Sequence, residues 1–165
     1  MIRILFLLFY CWGHCLTQPF VEAANPAPHR FASLRSRLVN MHIGPGVQYA
    51  VSWQFLQVGL PVEIVGEFEH WRQVKDTSGT KGWIHKSLLC GKRTVYVLHD
   101  HQSLHQNPDE KSRVLAYLQT GVIGKVVNLQ GDWCCIKVTH PQVGQYKGWV
   151  LRRHVFGLYS HEMHL

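Results

Sequence analysis

A chain of 165 residues with 46% hydrophobic and only 16% charged side chains carries enough apolar material to bury one or two compact cores, which argues against a disordered polypeptide. Lysine and arginine number 17 against 10 aspartates and glutamates, a formal net charge of +7, so the surface is basic and attracts wall polymers, anionic lipid headgroups or nucleic acid. The sustained apolar run, Ile4 to Trp12, is too short to cross a bilayer comfortably, which argues against a membrane-embedded protein.

Taken in chain order, Arg3 followed by that run reads as the charged and apolar regions of a secretory signal peptide. A polar turn at Thr17-Gln18-Pro19 precedes Val21-Glu22-Ala23, which places cleavage after Ala23 and assigns residues 1–23 to the signal; an uncleaved anchor is the alternative. Cys11 and Cys15 follow Tyr10 and His14, where a lipoprotein signal needs a small residue. Cleavage removes Arg3 and Glu22, which cancel, so the mature chain keeps its charge of +7. The expected location is therefore exported, periplasmic or secreted. There the basic surface meets wall polymers and lipid headgroups, with peripheral membrane contact open to it and no nucleic-acid partner.

Residues 24–30 contain Pro26 and Pro28 without apolar periodicity and read as an extended linker. The sequence then repeats itself. Met41 aligns with Leu104, His42 with His105, Pro45 with Pro108, Trp71 with Trp133, and Gly82-Trp83-Ile84 with Gly148-Trp149-Val150, at an offset of roughly 62 to 66 residues. Two copies result, 31–93 and 94–160, with a tail at 161–165.

Within each copy apolar residues alternate over short runs, as in Val39, Met41 and Ile43, Val51, Trp53 and Phe55, or Val62 and Ile64, which predicts β-strands. Gly44-Pro45-Gly46 and Asp76-Thr77-Ser78-Gly79 supply turn chemistry between them. No stretch of the mature chain sustains a helical stripe, so helix is restricted to single turns such as His85 to Leu89. About five short strands per copy can close into a small barrel and so protect their edges. The second copy carries extra residues around His140 to Gly144, expected as a protruding loop. Outside the signal lie Cys90, Cys134 and Cys135. One disulfide from Cys90 to either neighbour is open, and so is burial of all three as small hydrophobes.

Val39-Asn40-Met41-His42-Ile43-Gly44-Pro45-Gly46-Val47-Gln48-Tyr49 resembles the opening motif of the bacterial SH3 family, Val-Asn-Val-Arg-x-Gly-Pro-Gly-x-x-Tyr, and Gly82-Trp83-Ile84 resembles its closing Gly-Trp-Val. The order of parts resembles short exported tandem proteins of alphaproteobacteria. The resemblance implies an all-β fold, two tandem SH3-like β-barrels after a signal peptide, and a binding module whose ligands are cell-wall peptidoglycan, its peptides or envelope proteins. Two departures bear on binding: His42 stands where the motif has arginine, and Asn107-Pro108-Asp109 stands where the second copy would have Gly-Pro-Gly.

The candidate ligand-binding residues are Tyr49, Trp53, His42, Trp71 and Trp83, aromatic or imidazole side chains that combine contact area with a polar handle. Tyr117, Trp133 and Trp149 are the second copy's rings. Core packing is the competing role for Trp71, Trp83, Trp133 and Trp149, whereas Tyr49 and Trp53 follow the Gly-Pro-Gly loop and suit a groove. His99, His101 and His105 are spaced to share a strand face in part, but no nearby residue completes a four-ligand set, so no metal and no cofactor are expected. The tail His161-Glu162-Met163-His164 lacks the spacing of a zincin helix. Cys134 and Cys135 sit in a barrel strand with no helix-borne nucleophile and separate base, so no enzymatic activity is expected. The reading is a non-enzymatic exported module that binds peptidoglycan or its peptides; the alternative is an envelope protein–protein or assembly module without a wall ligand.

Overall fold

The structure, a computed structural model, describes residues 25–162; the expected signal at 1–23 and the last residues of the tail lie outside the described residues. The first half comprises β1 (Asn25–Leu34), β2 (Val39–His42), β3 (Val51–Phe55), β4 (Pro61–Phe68), β5 (Trp71–Lys75), β6 (Lys81–His85), a single 3-10 turn (Lys86–Leu88) and β7 (Leu89–Cys90). The second comprises β8 (Thr94–Val97), β9 (Gln102–His105), β10 (Val114–Leu118), β11 (Ile123–Gln130), β12 (Trp133–His140), β13 (Gly144–Leu151), a 3-10 turn (Arg152–His154) and β14 (Val155–Phe156).

Both sheets are seven-stranded, ordered β3-β2-β6-β5-β4-β1-β7 and β10-β9-β13-β12-β11-β8-β14. The second order is the first with every strand advanced by one repeat. The all-β, two-barrel architecture implied by the sequence is therefore present, and the repeat extends from Gly and Trp positions to topology. Among the described residues, no helix is long and apolar enough to cross a membrane.

Each barrel closes on its own core, because alternation along the strands turns one set of β-branched and long apolar residues inward. Val39, Met41, Val62, Ile64, Val74 and Ile84 fill the first; Val97, Leu104, Val126, Cys134, Ile136 and Val150 fill the second. The glycine of each Gly-Trp pair is fixed by close approach. A Cβ on Gly82 would lie 2.4 Å from Met41 Cγ, and one on Gly148 would lie 2.7 Å from the His105 carbonyl oxygen.

Two local expectations come out differently, and one open alternative is decided. Residues 25–30 are extended, as a linker would be, but they belong to β1: Asn25 and Pro26 pair with Glu67 and Gly66 before a register shift leads to Arg30 opposite Ile64. Pro28, which has no N–H to give, lies where the ladder is interrupted. The extra residues of the second copy lengthen the β12–β13 hairpin, with pairing continuing to His140 opposite Gly144, so only its tip is a turn. The three cysteines are free thiols, Cys134 and Cys135 buried and Cys90 half-buried on β7.

The barrels share an interface. The Phe31 ring packs edge-on against Phe156 at 5.2 Å between centroids and against Tyr159 at 4.7 Å, and Tyr96 and Ile123 of the second barrel pack on the first core. Ser33 and Thr94 share a buried hydroxyl–hydroxyl bond of 2.6 Å, and Thr94 donates to the Gly59 carbonyl at 2.7 Å. Glu63 on β4 is 5% exposed and is met by Lys75 at 2.5 Å, His29 at 3.0 Å and the donating Tyr159 hydroxyl of the second barrel at 3.1 Å.

Candidate functional site

The loop from Gly44 to Tyr49 is shaped by its own backbone. Gly46 N–H donates to Gly44 O at 3.0 Å and Tyr49 N–H to Gly46 O at 3.3 Å. The Tyr49 ring lies against Gly44 so closely that a Cβ there would meet it at 2.5 Å. In the second barrel Asp109 and Ser112 make the same two bonds to Asn107 and Asp109, so the loop keeps its frame although both glycines are replaced. What differs between the copies is side-chain chemistry.

The Tyr49 carbonyl, an acceptor only, lies 2.7 Å from His42 Nδ1, so Nδ1 carries a proton and the neutral ring has its lone pair on Nε2. His105 Nδ1 donates to the Ser112 carbonyl at 3.2 Å in the same way. Each imidazole meets a tryptophan edge-on, His42 with Trp71 and His105 with Trp133, both at 5.3 Å and 80°. The imidazole that replaces the motif's arginine is thus a fixed, repeated structural partner of a tryptophan.

In the first barrel a second imidazole completes a row. His85 lies opposite Trp71 across β5 and β6, its ring 5.5 Å from the indole, with His70 a further 6.0 Å away. His85 Nδ1 accepts from Ser87 N–H at 3.4 Å at the start of the 3-10 turn, which leaves the proton of the neutral ring on Nε2. His42, Trp71 and His85 line one open depression of about 210 Å³ together with Leu38, Asn40, Val47 and Leu88. The depression therefore offers an indole between an imidazole that can accept and an imidazole that can donate. In the second barrel Leu151 occupies the place of His85, and the corresponding hollow is lined instead by His101, Glu110, Arg153 and His154 around His105 and Trp133.

Of the five residues singled out from sequence, His42 and Trp71 meet in this depression. Tyr49 is half-buried over Gly44 and holds His42 through its carbonyl. Trp53 is 57% exposed on β3, away from the lining, with Ala116 at its place in the second barrel. Trp83 is 2% exposed and lies among the buried hydrophobic residues. His85 and Leu88 were missed. The signal for His85 was the hairpin register: with Lys75 opposite Lys81 across the turn, counting outward brings Trp71 opposite His85.

Cys134 and Cys135 are not set up as nucleophiles. Burial pushes the Cys134 thiol up to about 12 and raises Cys135 as well, which suppresses the thiolate at neutral pH. Among the described residues, no three His, Cys, Asp or Glu side chains converge to hold a metal ion.

A sequence profile described as bacterial SH3 domain matches residues 35–91 and 99–157. No curated protein matches the chain. Among solved structures the chain is similar to NlpC2 from Trichomonas vaginalis, at 13% identity and a TM-score of 0.36 over 82% of this chain and 50% of that one. It is also similar to NlpC1 from the same organism, at 13% identity and a TM-score of 0.34 over 81% and 47%. The chain spans about half the length of these solved chains.

Proposed function

The chain belongs to the bacterial SH3 family, whose domains are commonly non-catalytic cell-wall binding modules, and from that premise we propose that this protein is an exported, non-enzymatic module that binds peptidoglycan through its first barrel. The observation that carries the reading is the His42–Trp71–His85 row. An indole face with an acceptor on one side and a donor on the other suits a ligand rich in secondary amides, each of which presents both groups. Peptide stems and N-acetylated sugars have this chemistry. The net charge of +7 adds a long-range attraction to an anionic wall, but that part is screened by salt and does not discriminate.

The test is co-sedimentation of the purified protein with peptidoglycan sacculi at low and moderate salt. Binding that survives moderate salt and falls about tenfold in His85→Ala, with Trp71→Phe intermediate, is the expected result. Binding that vanishes with salt whatever the variant would reduce the interaction to charge alone and remove the depression from it.

A second reading rests on a different feature. Among the described residues β3 pairs only with β2, and Val51, Trp53, Leu56 and Val58 on and beyond it are 49%, 57%, 63% and 58% exposed. Such an apolar edge fits an envelope protein that adds a strand. Trp53→Ser would abolish capture of that protein while leaving sacculus binding intact.

A further inference from the structure

The two barrels carry basic pockets at matching places, and in the second the pocket is occupied by the protein's own segment Tyr159–Glu162. Arg93 precedes β8 and its carbonyl accepts from Val126 N–H at 3.0 Å; Arg30 holds the corresponding place on β1, opposite Ile64. Arg152 and Lys86 each open the 3-10 turn, their N–H groups donating at 2.8 Å to Asp132 and His70 respectively. In the second barrel Arg93 ion-pairs with the Glu162 carboxylate. Arg152 donates to the carbonyls of both Tyr159 and Glu162, the latter at 2.7 Å, and the turn closes with Glu162 N–H on Tyr159 O at 3.2 Å. Two cations thus grip a four-residue acidic turn, one by its side chain and one by its backbone.

In the first barrel the corresponding pocket is an open hollow of about 250 Å³, lined by Arg30, Arg72 and Lys86 over an apolar floor that includes Ile64 and Leu89. Here Arg72 stands in the place of Cys134, and Glu67 in the place of Leu129. Glu67 meets Arg30 at 2.7 Å and Arg72 at 3.2 Å. The hydrogen bond from Arg30, joined by the charges of Arg72, Arg30 and Lys86, holds its carboxyl below the usual range although burial, second only to that hydrogen bond, opposes it. One carboxylate therefore faces three cations. Among the described residues Lys86 has no ion-pair partner, and Arg30 keeps donors beyond the one given to Glu67. The pocket shares no lining residue with the His42–Trp71–His85 depression.

We propose that this pocket is a receptor for an acidic peptide turn of a partner protein, which places a carboxylate on Arg30 and backbone carbonyls on Lys86 as Glu162 and Tyr159 do on Arg93 and Arg152. The second barrel fixes the occupant's chemistry, since the same backbone frame and the same two cationic positions already hold such a segment. Glu67 keeps Arg30 and Arg72 aligned in the free protein and leaves an excess of positive charge for the incoming carboxylate. The proposal does not depend on what the aromatic depression binds.

The test is an NMR titration of the purified protein at low salt with an acetylated, amidated Leu-Tyr-Ser-His-Glu peptide, the tail's own segment. Expected are saturable shifts at Leu89, Cys90 and Gly91, an affinity about tenfold lower in both Arg30→Gln and Lys86→Gln, and a comparable loss when the peptide's glutamate is replaced by glutamine. Lys86 is exposed, so its variant does not put folding at risk. No saturable shift at Leu89 to Gly91, an unchanged affinity in Lys86→Gln, or equal binding of acetate alone would each overturn the proposal. Self-association of the peptide-free protein that Glu162→Gln abolishes would put a second copy's tail in the pocket and overturn a partner protein as its occupant.

Discussion

His42 and Gly148 illustrate how single residues of the family motif acquire their roles. At His42 a carbonyl 2.7 Å from Nδ1 dictates the tautomer, and His105 repeats the arrangement against Ser112. Nitrogen-15 spectra of the protein above the imidazole titration range should accordingly show both rings protonated at Nδ1, while His85, whose Nδ1 accepts from Ser87, shows the proton at Nε2. A common Nε2–H form at all three would remove the donor–acceptor contrast on which the depression's chemistry rests. Gly148 is constrained by contact rather than by backbone angle: a Cβ there would press 2.7 Å from the His105 carbonyl, which is main chain and cannot rotate away. Gly148→Ala should destabilise by about 1–3 kcal/mol in urea unfolding. Gly79→Ala is a poor control because Gly79 has φ +86, whereas Gly91→Ala meets nothing within 4 Å and should cost little.

Strands and hairpins were largely legible because the period-two pattern and the Gly-Trp positions are local properties of the chain. Met41, Val62 and Ile64 turn inward as alternation requires, and the Gly44 to Tyr49 loop follows from its glycines and proline. The aromatic depression was only half legible, because His85 reaches Trp71 through strand pairing rather than through any motif. The basic pocket was not legible at all: Arg30 falls in a stretch that reads as linker, and its likeness to Arg93 emerges only when β1 and β8 pair with β4 and β11. Glu63, on β4, shows a further effect that no periodicity reveals. Burial alone would raise its pKa, yet the hydrogen bonds from Lys75 and His29 together with the charge of Lys75 outweigh that and hold it below the ordinary value of 4.5. A carboxylate depressed in the folded state stabilises the fold fully above the unfolded value and loses that contribution as pH falls through the folded one. Glu63→Gln should therefore be less stable than the parent by about 2 kcal/mol at pH 7, with the gap narrowing below about pH 4.5. Equal gaps at pH 7 and pH 3 in urea unfolding would show that the ionised carboxylate contributes nothing.

At the scale of the whole molecule, the question is whether two similar barrels behave as two domains or as one. A domain of about sixty residues is marginal by itself, since so short a chain buries only about 60% of its unfolded surface. Here each barrel completes the other. Tyr96 and Ile123 lie on the first core, Phe31 is held between Phe156 and Tyr159, and Thr94 links Ser33 to the Gly59 carbonyl inside the junction. The tail reinforces this, because the turn that fills the second barrel's basic pocket also carries the Tyr159 hydroxyl to the buried Glu63 of the first. Such coupling predicts one calorimetric unfolding transition for both barrels. Phe31→Ala, which removes two aromatic contacts at about 0.5–1.5 kcal/mol each beyond area burial, should weaken the junction, lower the midpoint and separate the melt into two steps. Thr94→Val leaves the Gly59 carbonyl without its buried donor and should act in the same direction by about 1–3 kcal/mol. Two transitions already resolved in the unaltered protein would mean that the barrels fold independently. The aromatic depression and the basic pocket, both on the first barrel, could then be studied on it alone. A single transition that splits in Phe31→Ala would instead make the second barrel, with its self-occupied pocket, a structural requirement for the binding surfaces of the first.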